Sequence, residues 1–98
     1  MYIVSTLWKF GSPGQANEAI RRLRDSFGPL VRAQGGFRSW YLAASGVDEA
    51  VSLTLWESRA AYEKAQEKLA AWGQEHLAEL DARVQYRRRG DLAAYEGP

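Results

Sequence analysis

Few side chains in this sequence are equipped for acid–base or metal chemistry. His76 is the single histidine, and there is no cysteine. Thiolate catalysis, disulfides and Cys-ligated metal are therefore excluded, and one imidazole alone makes no metal centre. His76 sits at helical spacing with Tyr62, Ala65, Leu69, Trp72 and Leu80, in steps of three or four, so the set shares one helix face. A neutral imidazole there could ligate haem iron or shuttle a proton. It equally suits a helix–sheet boundary, hydrogen-bonded to backbone or water. Arg87-Arg88-Arg89 is the densest charge run. Strand alternation puts Arg88 on the face opposite Arg87 and Arg89, so no continuous nucleic-acid patch forms. Gly11-Ser12-Pro13-Gly14 is glycine-rich but lacks the lysine and spacing of a phosphate loop. No carboxylate pair has a catalytic spacing.

The totals narrow the classes further. Ninety-eight residues make one domain, 1–98. Thirteen Lys and Arg against twelve Asp and Glu give a net charge of +1, which argues against dedicated nucleic-acid or membrane-surface binding. Met1 to Lys9 reads as a strand, lacking a basic leader and a small-residue cleavage site. No apolar run is long enough to span a bilayer, so a cytoplasmic location is expected. Four Trp, five Tyr and three Phe each need a core, an interface or a ligand pocket to cover them.

Periodicity supplies the elements that position these residues. Tyr2 to Phe10 reads as a strand, followed by the turn cluster at Gly11–Gly14. From Gln15, the residues Ala16, Ala19, Ile20, Leu23, Phe27, Leu30 and Val31 form an apolar helical stripe. Glu18 with Arg22, and Arg21 with Asp25, are i,i+4 pairs on its wet side, worth about 0.2–0.5 kcal/mol each. Pro29 lacks an amide hydrogen, and a kink or break is expected at Gly28-Pro29. Gly35-Gly36 ends the element.

The central hairpin follows, Phe37–Ala44 and Val51–Trp56, with turn residues between. Ser58 is placed to cap the helix that carries His76. Gly73 is expected to interrupt that helix. The last strand reads as Ala82–Arg89, broken by Gly90. Leu92–Tyr95 follows as a short strand or arm, and Glu96-Gly97-Pro98 should fray.

The order strand, helix, strand, strand, helix, strand is the ferredoxin-like split βαβ arrangement, an α+β fold with an antiparallel sheet and helices on one face. Large side chains occupy both faces of the first strand and of the hairpin. Helices cover one face. The other requires a second layer, which the chain is too short to supply alone, so a homodimer is expected.

Gly14 before the first helix, Gly36-Phe37 opening a strand, Leu53-Thr54-Leu55-Trp56-Glu57-Ser58, and Ala61-Tyr62 in the helix behind resemble the antibiotic-biosynthesis-monooxygenase domains, a branch of the dimeric α+β barrels. The resemblance covers nearly the whole chain as an element order. It implies two sheets packed face to face across a two-fold axis, with a ligand pocket between helices and sheet in each subunit. It further implies a cofactor-independent monooxygenase acting on an aromatic or quinol-type small molecule. On that reading His76 and Tyr62 are the catalytic candidates. Leu7, Trp40, Leu69 and Trp72 line the pocket, and Arg38, Tyr62 or His76 meets a substrate anion.

The haem-degrading branch of the family implies an Asn late in the first strand, a Trp in the second helix and a His further along it. Those positions hold Leu7, Ala65 and His76 here. Two determinants of three differ, so haem cleavage is not expected, although haem binding is left open. A non-enzymatic small-molecule or haem-binding protein on the same dimeric scaffold is the alternative, and a dimeric module without ligand the third reading.

Overall fold

The computed structural model describes residues 1–97. Tyr2–Lys9 forms β1, Phe37–Gly46 β2, Glu49–Trp56 β3 and Arg83–Asp91 β4. They make one antiparallel sheet in the order β2-β3-β1-β4. Helices Pro13–Arg22 (α1), Gly28–Arg32 (α2) and Arg59–Leu77 (α3) cover one face. The ferredoxin-like α+β arrangement expected from the element order is the one observed.

Alternation decides what each face carries. Tyr2, Val4, Thr6, Ala50, Ser52, Thr54 and Trp56 are buried on the helix side. Ile3, Ser5 and Leu7 of β1 and Val51, Leu53 and Leu55 of β3 lie on the other side, half-buried. The two rows are in register, with Ser5 opposite Leu53 and Leu7 opposite Val51. Tyr41 and Tyr86 flank them on the edge strands, 59% and 37% exposed. Among the described residues, no element covers this face.

Both main helices begin at side-chain caps. Ser58 Oγ accepts from the Ala61 amide at 3.1 Å, as expected. Ser12 does the same for Gln15 at 3.1 Å and lets Pro13 start α1 two residues before the periodicity signalled it. Proline at the first helical position loses nothing, because its amide would have been unpaired.

Three breaks expected from Gly and Pro fall differently. The chain stays helical through Gly28-Pro29, because a π-helical turn over Leu23–Phe27 precedes them. The wider turn absorbs the register change where Pro29 offers no N–H. Gly28 is needed at its position, since an added Cβ would lie 2.7 Å from the Trp40 ring. α3 runs unbroken through Gly73, whose cost of about 1 kcal/mol relative to alanine is carried by the buried Tyr62, Ala65, Trp72 and Leu77. Gly90 continues β4 by pairing with Ile3. Leu92–Tyr95 forms no further strand, although the Leu92 amide bonds to the Met1 carbonyl at 2.8 Å. Of the terminal residues expected to fray, Pro98 lies outside the described residues.

Gly36 is the tightest point of the connection between α2 and β2. Its φ is +80°, and a Cβ there would sit 2.5 Å from that of Ala61. Gly36→Ala therefore adds a strained backbone to a clash with α3. We expect a loss of about 2 kcal/mol or more, measured as a lower urea midpoint with an unchanged slope. An unshifted midpoint would mean that the turn relaxes freely.

The candidate ligand cavity

Three side chains of the helix layer hold one end of the space between helices and sheet. Trp72 donates its indole N–H to Ser26 Oγ at 2.8 Å. Its ring meets Phe27 edge-on, 5.1 Å between centroids. The π-helical turn thus places both Ser26 and Phe27 against Trp72. Arg22 ties the far end of α3 to α1, donating to the His76 carbonyl at 2.7 Å and pairing with Glu79. The carboxyl of Glu18, on α1, has its pKa lowered to about 2 by hydrogen bonds from Arg21 and Arg22.

Between α3 and the sheet lies a cavity of about 360 Å³. Trp8, Phe27, Tyr62, Leu69, Trp72 and Leu77 supply much of its wall. Its floor is polar: Thr6, Ser52 and Thr54 are each at least 94% buried on the helix side of the sheet. Arg87 of β4 is the one charged residue of the described lining, which contains no Asp, Glu or His. Arg87 Nε donates to Thr6 Oγ1 at 3.1 Å. Arg89, two residues on, holds its guanidinium carbon 5.6 Å from the centre of the Tyr62 ring. Tyr62 is itself fixed by Trp56 and Tyr2, with centroids at 5.8 and 6.0 Å. A volume of this size takes a flat ligand of two or three fused rings.

The structure brings together Tyr62, Leu69 and Trp72 of the expected site and separates the others. Leu7 is on the uncovered face, opposite Val51 and Tyr86, because Val4, Thr6 and Trp8 take the helix side of β1. Trp40 faces the helices but packs behind Phe27, at 5.8 Å, with its indole N–H on Ser52 Oγ at 3.0 Å. It supports the floor from outside and does not line the cavity. Arg38 is exposed beside Glu57, 3.9 Å away.

His76 does not line the cavity either. Its ring stacks on Trp72 at 4.9 Å and its side chain is 39% exposed. The reason is helical phase. Gln66, Leu69, Gly73 and Leu77 make the cavity seam of α3, while His76 lies behind Trp72. His76 is thus not placed to ligate a haem held in this cavity, and the Asn and Trp positions of the haem-degrading pattern remain Leu7 and Ala65.

Sequence reading missed Arg87, Thr6, Ser52 and Thr54. The signal for Arg87 was present in part, since alternation put it on one face with Arg89. Its use as cavity lining depended on knowing which face the helices cover. Among the described residues, no group of three His, Cys, Asp or Glu could hold a metal ion, and no helix is long and apolar enough to cross a membrane.

A helix-covered antiparallel sheet with the strand order β2-β3-β1-β4 is the ferredoxin-like α+β fold. Solved structures agree on that fold at low identity. HapK from Hahella chejuensis superposes with a TM-score of 0.84 at 12% identity, over 100% of this chain and 99% of its own. A monooxygenase from the gene ActVA-Orf6 of Streptomyces coelicolor, solved with the ligand nanaomycin D, gives 0.76 at 17% identity, over 99% and 91%. SnoaB from Streptomyces nogalater, a cofactor-independent oxygenase solved in a mutant form, gives 0.73 at 13%, over 96% and 94%. No protein-family model matches the chain, and no curated protein matches it.

Proposed function

We propose that this protein is a homodimeric, cofactor-independent monooxygenase that oxidises a flat aromatic or quinol-type molecule in the cavity under α3. The carrying observation is the cavity itself: aromatic walls, a single guanidinium and no acid or imidazole among its described lining residues. Such a site supplies no general base, so the substrate must be acidic enough to ionise once its oxyanion meets Arg87. A cation in a partly dry cavity favours the ionised form. The electron-rich anion then reduces oxygen itself. For an anthrone, the CH₂ carbon gives up four electrons and two protons and becomes a carbonyl. One oxygen atom enters that carbonyl and the other leaves as water. Leu69 and Trp72 hold the ring plane, and Tyr62 places a phenol at the wall for proton transfer to the reduced oxygen. The SnoaB and ActVA-Orf6 neighbours support this chemistry, because both are described as oxygenases on the same fold.

The dimer rests on the uncovered sheet face. Val51, Leu53 and Leu55 beside Ile3, Leu7, Tyr41 and Tyr86 make a mostly apolar surface across the four strands, interrupted by Ser5 and by Arg88, whose guanidinium lies over the Tyr86 ring. Soluble monomers rarely leave contiguous apolar patches of more than a few hundred Å² open to water. A second copy, packed sheet to sheet, covers it.

The test is oxygen uptake with anthrone, without added metal or flavin. One O₂ should be consumed per anthraquinone formed. Gly73→Leu is the informative variant. A Cβ at Gly73 meets nothing within 4 Å, and leucine is the better helix former, so stability should hold or rise while the side chain takes ligand space. Uptake should fall more than tenfold. No uptake by the parent protein across quinol and anthrone substrates overturns the enzyme reading, and saturable binding without uptake would define a binding protein instead.

A further inference from the structure

The cavity floor is a row of hydroxyls whose oxygens are already occupied by donors. Thr6 Oγ1 accepts from Arg87 Nε at 3.1 Å, Ser52 Oγ from Trp40 Nε1 at 3.0 Å, and Thr54 Oγ1 from Trp56 Nε1 at 2.8 Å. The direction of each bond is fixed, because indole and guanidinium nitrogens only donate. A hydroxyl that accepts still has its own proton to give. These three accepted bonds are the side-chain bonds the hydroxyls make among the described residues. Register places them side by side: Thr6 pairs with Ser52, and Thr54 follows two residues along β3 on the same face. All three are buried and all three line the cavity.

From this arrangement we propose that Thr6, Ser52 and Thr54 form a donor row that selects ligands carrying carbonyl or oxyanion oxygens on the edge facing the sheet. The ligand class is a quinone or ketone of a fused aromatic, over a bare hydrocarbon or an aromatic amine. A ligand that enters must replace the acceptors that solvent gives these protons. A hydrocarbon edge cannot, and leaves buried donors unpaired. A carbonyl oxygen over the Thr6–Ser52 pair can take both protons, since directly opposed residues hold their Cβ atoms about 5 Å apart. An aromatic amine, uncharged at neutral pH, adds N–H donors where donors are already in excess. The trio is thus a specificity device for the site proposed above. The proposal takes from that reading only that ligands occupy the cavity, not that they are oxidised.

Calorimetric titration of the full chain with 1,4-naphthoquinone and with naphthalene separates the two. The chain has no cysteine, so quinone addition to thiols does not interfere. The parent protein should prefer the quinone at least tenfold. Thr6→Val and Ser52→Ala should each lower quinone affinity by about fivefold, the equivalent of one neutral hydrogen bond, and leave naphthalene binding as strong or stronger, since one donor fewer is left unpaired. Thr6→Ser should restore the preference, which a merely structural role for Thr6 would not require. Naphthalene affinity no weaker than the parent's also reports that a variant has kept its fold. Equal affinity of the parent for both ligands, or a preference undiminished in Thr6→Val and in Ser52→Ala, overturns the donor row. A quinone preference without oxygen uptake leaves it standing and removes the oxygenase. Oxygen uptake without the preference does the reverse.

Discussion

A Trp56→Ala chain is expected to lose about 3–5 kcal/mol of stability and to melt some 15 °C or more below the parent. Trp56 is fully buried, the largest side chain to be so. It stands at the end of β3, opposite Tyr2 on one neighbouring strand and Phe37 on the other. Its ring meets Phe37 at 6.1 Å and Tyr62 at 5.8 Å, both edge-on. Removing it takes one support from Tyr62 and leaves a void that the turn at Gly36 cannot close, because that turn already touches Ala61. A domain of this size holds about 5–15 kcal/mol in total, so a fifth or more of the stability rests on one residue. Differential scanning calorimetry reads the loss. Trp56→Phe separates packing from the hydrogen bond to Thr54, and should give up only about 1–2 kcal/mol. A melting point within a few degrees of the parent for Trp56→Ala would mean that the aromatic cluster is not the keystone of the helix–sheet contact.

The second large effect is on assembly. Leu53→Arg should convert a particle of twice the 11.0 kDa chain mass into a single chain, read by sedimentation velocity at tens of micromolar. Leu53 occupies an inner strand of the bare face, with Ser5 on one side and Tyr41 on the other. A guanidinium there has free access to water in the monomer and none in a face-to-face pair. Uncompensated burial of a charge costs several kcal/mol, and the two-fold axis counts the substitution twice. The association constant should therefore fall by about a thousandfold or more. Helix packing lies on the other side of the sheet, so the variant should keep its helical circular dichroism. A parent protein that sediments as a single chain at the same concentration would remove the dimer reading altogether.

Much of the fold was legible because it rests on the strand period of two and the helix period of about 3.6. The element order, the Ser58 cap, the apolar stripe of the first helix and the two-sided strands all follow from patterns local to their segments. The breaks at Gly73 and Gly90 were overestimated for one shared reason. A glycine weakens an element only by its own small cost, and the packing of buried neighbours exceeds that cost. The site was less legible. Tyr62, Leu69 and Trp72 reached the cavity, but Leu7, Trp40 and His76 missed it. A strand has only two faces, and composition did not say which one the helices choose when both are apolar. Along α3, the drift between steps of three and four moved His76 behind Trp72. Arg87 was legible only as one face of its strand and the hydroxyls not at all, because their role comes from neighbours far away in sequence.

The last strand has a further consequence. β4 is an outer strand of nine residues, eight of them exposed, and a ribbon of that kind invites indiscriminate stacking with other chains. Arg83, Arg87, Arg88 and Arg89 place four positive charges along it. Two copies laid edge to edge would bring those charges together, and the repulsion acts as a gatekeeper against fibrous growth. Thinning this fringe of arginines would leave the single molecule folded and make concentrated solutions of it prone to precipitate.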